Sequence, residues 1–87
     1  MQIKIQKSCL RKLNRYKKKD INRYRRILLK IELFKTDINN PSLKVHKLKG
    51  KYGNYWSFSV EEDLRIIYIY KNKITLVDIG THDEVYR

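Results

Sequence analysis

Residues 64–70 read Leu-Arg-Ile-Ile-Tyr-Ile-Tyr, and this stretch decides the fold. Apolar residues occupy both of its alternating sets of positions, which predicts a strand at the centre of a sheet, covered on both faces. Residues 55–60 (Tyr-Trp-Ser-Phe-Ser-Val) alternate large apolar side chains with serines, and residues 74–79 give a third strand pattern. Short polar turns, Glu61-Glu62-Asp63 and Lys71-Asn72-Lys73, separate the three. The sequence therefore predicts an antiparallel meander.

Upstream of the meander the hydrophobic period changes to that of a helix. A short strand is predicted around Ile3 and Ile5, followed by a first helix with Ser8 as its N-cap. Asp20 is the predicted N-cap of a second helix, and residues 36–42 read as a loop. The second helix has an apolar stripe with helical spacing, formed by Tyr24, Ile27, Leu28, Ile31 and Phe34. We predict one α+β domain over residues 1–87, with the helical hairpin packed on one face of the sheet.

The charge of the chain lies almost entirely in its first third. Of the 21 Lys and Arg residues, 13 fall in residues 1–35 with only two acids, a surplus of +11 out of a net charge of +12. So basic a small domain predicts a polyanionic partner: RNA, DNA, an acidic membrane surface or an acidic protein. The single Cys9 excludes an intramolecular disulfide and fits a reducing cytoplasm, where we expect the protein to reside, and no apolar run is long enough to span a membrane.

Three stretches carry candidate functional groups, and each has a structural alternative. Residues 81–84 (Thr-His-Asp-Glu) form a capping box with His82 inside it, which could simply end the last strand. Arg65 stands in an otherwise apolar strand, so it either faces a ligand or pairs with an acid of the turn at residues 61–63. The basic residues within 43–51 either clamp phosphates or protect a sheet edge from aggregation; they are Lys44, His46, Lys47, Lys49 and Lys51.

The order of these segments resembles the RelE/ParE superfamily, the toxins of bacterial type II toxin–antitoxin modules, and within it the YafQ- and YoeB-like mRNA interferases. The resemblance covers the whole chain. It rests on the basic hairpin, Leu48-Lys49-Gly50, Tyr55-Trp56-Ser57, the strand at residues 64–68, and the ending Asp78-Ile79-Gly80-Thr81-His82-Asp83-Glu84-Val85-Tyr86. It implies a microbial RNase fold that cleaves mRNA, commonly on the ribosome, and an antitoxin that silences it.

Carried over residue by residue, the resemblance implies four catalytic groups. His82 matches a proton-transferring histidine, Arg65 the arginine that binds the scissile phosphate, His46 an upstream histidine, and Asp63 an acid in the turn before the central strand. Lys47, Lys49 and Lys51 would position the RNA backbone. Tyr86 would either stack on a base or close the core. Two positions depart from the family pattern: Ser59 stands where a further histidine is found, and Asp78 stands where a basic residue is found.

These residues predict an endoribonuclease that needs no metal or other cofactor, in which a ribose 2′-OH attacks the adjacent phosphorus. An acidic antitoxin and mRNA are its expected partners, and no membrane is expected. The alternative in a different class is a gyrase inhibitor like the ParE toxins, a binding module without nuclease activity. A plain RNA-binding domain would explain the charge but would leave His82 and Arg65 without a role.

Overall fold

A computed structural model describes residues 2–48 and 54–85 of the chain. Its strands are β1 (Ile3–Ile5), β2 (His46–Lys47), β3 (Tyr55–Glu61), β4 (Leu64–Tyr70) and β5 (Ile74–Thr81). They form one sheet in the order β1-β5-β4-β3-β2. The meander of β3, β4 and β5 is confirmed, with β4 at its centre and antiparallel to both neighbours. The two outer strands enlarge it, and β1 pairs parallel to β5, so the sheet is mixed.

Two helices, α1 (Lys7–Lys19) and α2 (Ile21–Thr36), form the predicted hairpin, and a one-turn helix, α3 (His82–Val85), ends the described chain. The turn of the hairpin is Asp20 alone. Its N–H donates to the Tyr16 carbonyl at the end of α1, while its Oδ1 accepts from the Arg23 N–H at 3.1 Å. The predicted N-cap at Asp20 is therefore confirmed. Within the described ranges, no helix is both long and apolar enough to cross a membrane.

The N-cap predicted at Ser8 is wrong, because α1 begins one residue earlier, at Lys7. Gln6 continues the extended chain of β1, and its N–H donates to the Leu76 carbonyl of β5 at 2.9 Å. The Gln6 carbonyl then accepts the first helical hydrogen bond, from the Leu10 N–H at 2.9 Å. Pairing of β1 with β5 thus determines where the helix starts, and no side-chain cap is used.

The core lies between the hairpin and one face of the sheet. The Phe34 ring of α2 stacks on Phe58 of β3 at 4.3 Å and meets the Tyr68 edge of β4 at 4.8 Å. All three side chains are buried. Trp56, which lies on the same side of β3 as Phe58, is half-buried and packs against this core. The expected two-layer α+β arrangement is confirmed.

Replacing Asp20 with alanine should lower the free energy of unfolding by about 1 kcal/mol, because the Arg23 N–H loses its side-chain acceptor. Asp20→Asn keeps an acceptor oxygen and should lose much less, which makes it the matched control. Urea denaturation of both variants measures the difference. Equal losses would show that the charge of Asp20, and not its cap, provides the stability.

Candidate active site

The candidate catalytic residues lie mainly on the sheet face that the helical hairpin leaves uncovered. Successive side chains of a strand point to opposite faces. In β4, Leu64, Ile66 and Tyr68 enter the core beneath the helices. Arg65 and Ile67 therefore point to the other side, where Ile67 packs in a second, smaller apolar cluster with Leu48 and Val85. We call this side the open face.

Arg65 is flanked on the open face by two small residues. It pairs in register with Ser59 of β3 and with Gly80 of β5. Its Nε atom is buried, and no described residue accepts a hydrogen bond from it. A buried guanidinium nitrogen without an acceptor is costly, unless a ligand supplies the acceptor. The structure thus leaves Arg65 suited to bind an anion.

The structural alternative for Arg65, pairing with an acid of the neighbouring turn, is not realised among the described residues. Glu61 instead pairs with two arginines of α2, at 2.8 Å to the Arg26 Nε and 3.3 Å to the Arg23 Nε. The hydrogen bond from Arg26 holds the pKa of Glu61 below its ordinary value. This pairing leaves no local signal in the sequence, because Glu61 and Arg26 are 35 residues apart.

His46 lies on the same face as Arg65. It stands opposite Ser57 in the β2–β3 pair, and directly opposed residues project to the same side. Ser57 in turn stands opposite Ile67, which places His46 on the open face. From a strand spacing of about 4.8 Å and a rise of about 3.4 Å per residue, the His46 and Arg65 Cα atoms are roughly 12 Å apart.

The orientation of the His46 ring has a chemical consequence. Its Nδ1 lies 3.1 Å from the Lys44 carbonyl oxygen, which can only accept a hydrogen bond. In the neutral imidazole the proton is therefore on Nδ1, and Nε2 carries the lone pair. Nε2 lies 3.5 Å from the Ser57 hydroxyl. Lys44 itself adopts a left-handed conformation (φ 49°) at the end of the 3-10 helix Pro41–Leu43.

His82 is the first residue of α3, and the capping box predicted around it is present. The Thr81 N–H donates to Glu84 Oε1 at 2.8 Å, and the Glu84 N–H donates to Thr81 Oγ1 at 3.4 Å. The imidazole is 59% exposed, and its Nδ1 lies 3.8 Å from an Asp83 carboxylate oxygen. Val85, at the end of α3, packs into the cluster with Ile67, so α3 lies against the open face.

Gly80 permits this close approach of α3. A β-carbon at position 80 would lie 3.0 Å from Glu84 Oε1 and 3.2 Å from Val85 Cγ1. Gly80 is also the residue in register with Arg65. One glycine therefore lets α3, with His82 at its start, begin beside the strand pair that carries Arg65.

The remaining predicted residues are more scattered. Asp63 lies exposed in the turn that precedes β4, two residues from Arg65 and at the same end of the strand. Lys47 stands opposite Trp56 and so projects to the other side of the sheet from His46, where it is exposed. Lys49, Lys51 and Tyr86 lie outside the described residues.

Other reactive groups are poorly placed for chemistry. Cys9 is buried in the core, and burial, with a smaller effect from the Asp78 charge, raises the pKa of its thiol to about 11. A thiol with such a pKa is a poor nucleophile at neutral pH. Within residues 2–48 and 54–85, no three His, Cys, Asp or Glu side chains come together in a way that would hold a metal ion.

Comparison with known proteins gives a family and a fold. The family model described as the bacterial toxin of type II toxin–antitoxin systems, YafQ, matches residues 1–87. No curated protein matches the chain. Among solved structures, the YoeB/ParE toxin from Agrobacterium tumefaciens is 19% identical, with a TM-score of 0.80 over 94% of this chain and 99% of that one. In the DinJ–YafQ toxin–antitoxin complex from E. coli, the matched chain is 25% identical, with a TM-score of 0.68 over 99% and 97%. One chain of the heterotetrameric YoeB–YefM toxin–antitoxin complex from Staphylococcus aureus is 15% identical, with a TM-score of 0.76 over 94% of this chain and 97% of that one.

Gly80→Ala should displace α3 from the open face and lower the free energy of unfolding by about 1–3 kcal/mol, the usual cost of overpacking. Ser59→Ala, on the other side of Arg65 in the same register, adds no volume and is the matched control. Urea denaturation gives the stability, and the NMR signals of the Val85 methyl groups report whether α3 has moved. Unchanged Val85 signals in Gly80→Ala would contradict the role of this glycine.

Proposed function

The chain belongs to the YafQ family of bacterial toxins of type II toxin–antitoxin systems, and on that premise we propose that it is an endoribonuclease that cleaves mRNA. The main support for the proposal is that His46 and Arg65 share the open face of the sheet. His46 Nε2 carries a lone pair, and Arg65 Nε has no hydrogen-bond acceptor among the described residues. A base and an anion-binding group on one accessible face are what transfer of a phosphoryl group within RNA requires.

In the proposed reaction, His46 Nε2 takes the proton of a ribose 2′-OH as this oxygen attacks the adjacent phosphorus. Arg65 donates hydrogen bonds to the dianionic phosphorane, for which a planar fork of donors is better suited than a lysine ammonium. His82 gives a proton to the departing 5′-oxygen. The products are a 2′,3′-cyclic phosphate and a free 5′-OH, and the protons balance between the two histidines. Asp63, at the same end of β4 as Arg65, is the alternative base.

DNA should not be a substrate, since it lacks the 2′-OH. Lys49 and Lys51 would contact phosphates outside the cleaved one, and Tyr86 would stack on a base. Lys47, which projects from the opposite face of the sheet, is not part of this proposed contact. We further propose that the mRNA is cleaved on the ribosome, which would place the protein in the cytoplasm. The net charge of +12 favours association with so strong a polyanion.

We also propose an acidic antitoxin as the protein partner. The matched structures include the toxin–antitoxin complexes of DinJ with YafQ and of YoeB with YefM. In this chain, a cleft of 240 Å³ lies between the helical hairpin and the end of β5. Its cationic side chains are Lys12, Arg15, Lys19 and Arg23. Arg15 and Lys19 are exposed and form no ion pair with a described residue, so they are available to carboxylates of a partner.

His82→Ala and His46→Ala should each lower the rate of RNA cleavage by about 10²–10⁴-fold, the usual contribution of a general acid or base. The fold should persist, because the capping bonds run between Thr81 and Glu84 and because His46 is exposed. Cleavage of a defined RNA by matched amounts of each variant is the measurement. Asp83→Asn, which alters an exposed neighbour of His82 and retains the capping box, is the control.

The double variant tests whether the histidines act together. If they do, His46→Ala combined with His82→Ala should be little slower than the worse single variant, since catalytic groups that act as a unit are not additive. Full activity of either single variant would exclude that histidine from proton transfer. Intact RNA together with inhibited gyrase, for the unaltered chain, would instead support the gyrase-inhibitor alternative.

Antitoxin binding should weaken when the free cations of the cleft are removed. Arg15→Gln with Lys19→Gln should raise the Kd by roughly 3- to 30-fold at low salt, if each cation contributes up to about 1 kcal/mol through an exposed ion pair. The difference should shrink at high salt because of screening. Lys71→Gln with Lys73→Gln, an equal charge change in the distant turn between β4 and β5, is the control. Titration calorimetry measures all three, and equal Kd values would contradict this docking surface.

A further inference from the structure

A pocket of 240 Å³ opens on the same face as Arg65 and His46. Its floor is the small apolar cluster of Leu48, Ile67 and Val85, which are packed together and buried. The other described residues of its lining are Gln6, Tyr55, Val77 and Asp78. Ile67 is two residues from Arg65 along β4 and on the same side, so the pocket begins about 7 Å from the arginine.

A bulge in β5 creates the polar wall of this pocket. Ile67 pairs with Asp78, but the next residue of β4, Tyr68, pairs with Leu76, so Val77 is the extra residue. In a regular strand Val77 and Asp78 would point to opposite faces. Because of the bulge, both residues line one pocket. Bulges near functional sites commonly redirect side chains in this way.

Of the two carboxylate oxygens of Asp78, one accepts hydrogen bonds from described residues and the other does not. Its Oδ1 accepts from Lys12 Nζ at 2.5 Å and from the Ile79 N–H at 2.9 Å. Oδ2 receives no hydrogen bond from the described part of the chain. Lys12 compensates the charge of the carboxylate, so an ionised Asp78 can remain in a partly buried position.

Among the described lining residues, the combination of an apolar floor and one carboxylate restricts what can bind. A carboxylate offers no hydrogen-bond donor to phosphate or to the acidic side chains expected of an antitoxin, but it accepts hydrogen bonds from the edge of a nucleobase. Guanine presents two adjacent donors, N1–H and the 2-amino group. In adenine and cytosine the amino group is next to a ring acceptor, and uracil has no amino group.

We propose that this pocket binds a guanine base of the RNA substrate, with Asp78 as the group that determines specificity. This inference rests on the proposed ribonuclease function and adds a base preference to it. The flat face of the base would lie on Ile67 and Val85, and its N1–H and amino group would both donate to Asp78 Oδ2, the carboxylate oxygen that no described residue uses. Gln6, at the rim, supplies an amide for the guanine O6.

Binding of mononucleotides tests the pocket without any cleavage. In the intact chain, GMP should shift the NMR signals of the Leu48, Ile67 and Val85 methyl groups at lower concentration than AMP, CMP or UMP. Asp78→Asn should weaken GMP binding by about 10- to 150-fold, the range for hydrogen bonds to a charged group. Lys12→Gln also breaks the Lys12–Asp78 ion pair but keeps the Asp78 carboxylate, so this variant should retain the preference for GMP. It is therefore the control for structural damage caused by loss of the ion pair.

A second variant, Val77→Phe, fills the pocket from a half-buried position and should abolish the shifts while the chain stays folded. If the four nucleotides bind alike, or if Asp78→Asn keeps the preference, the proposal is overturned. It is also overturned if only an acidic peptide, and no nucleotide, moves these methyl signals, since the pocket would then belong to a protein partner.

Mapping of cleavage sites separates this inference from the proposed function. The unaltered chain should cut RNA with guanine enriched at one fixed position relative to the cleaved bond, and Asp78→Asn should remove the enrichment while cleavage continues. Cleavage without such enrichment overturns the pocket proposal alone. If no RNA is cleaved, the ribonuclease function fails, and mononucleotide binding still decides whether the pocket takes guanine.

Discussion

Packing of the Phe34 ring between Phe58 and Tyr68 determines which face of the sheet the helices cover, and most of the other features depend on it. Because side chains alternate along a strand, burying Tyr68 beneath α2 commits Ile66 and Leu64 to the same side. Arg65 must then project from the opposite face. A shift of one residue in β4 would exchange the two sets and place a guanidinium in the core, at a cost of several kcal/mol. The contact of Phe34 with Phe58 and Tyr68 thus also determines on which face of the sheet Arg65 lies.

The excess positive charge of the hairpin is partly neutralised by acids of the sheet, and this leaves Arg65 without a described partner. Glu61 is held by Arg23 and Arg26, and Asp78 by Lys12. A register shift between Ser59 and Glu61 lets Val60 enter the core while the following residue, Glu61, also reaches α2. Without that bulge, Glu61 would project to the open face, beside Arg65. The irregularity thereby separates an acid from the candidate site.

The elements that the sequence predicted well depend on local physics. The two-residue period around Phe58, the helical stripe that includes Phe34, the cap at Asp20 and the capping box at Thr81 and Glu84 each involve residues within a few positions of one another. The cap predicted at Ser8 failed because a long-range pairing of β1 with β5 determines the start of α1. The proton position on His46 was likewise unpredictable, since it depends on the Lys44 carbonyl and on a left-handed backbone at that residue. The two bulges leave no composition signal, and so neither the isolation of Arg65 from Glu61 nor the pocket wall at Asp78 was foreseen.

The position of Asp78 connects these features to the proposed chemistry. The family pattern has a basic residue at this point, and a second cation there would add to the charge that faces the phosphate. In this chain the carboxylate forms an ion pair with Lys12 and lines a pocket with an apolar floor. Asp78 stands opposite Ile67, which is two residues along β4 from Arg65. Contacts between cations and phosphates do not depend on the RNA sequence, and loss of a cation weakens them. A carboxylate at a base edge instead discriminates between bases. In the proposed reaction, stabilisation of the phosphorane would then fall mainly on Arg65, whose Nε is buried and has no acceptor in the described chain. In the proposed site, the carboxylate at position 78 therefore has two effects: it leaves Arg65 as the cation of β4 for the phosphate, and it places a hydrogen-bond acceptor beside the pocket.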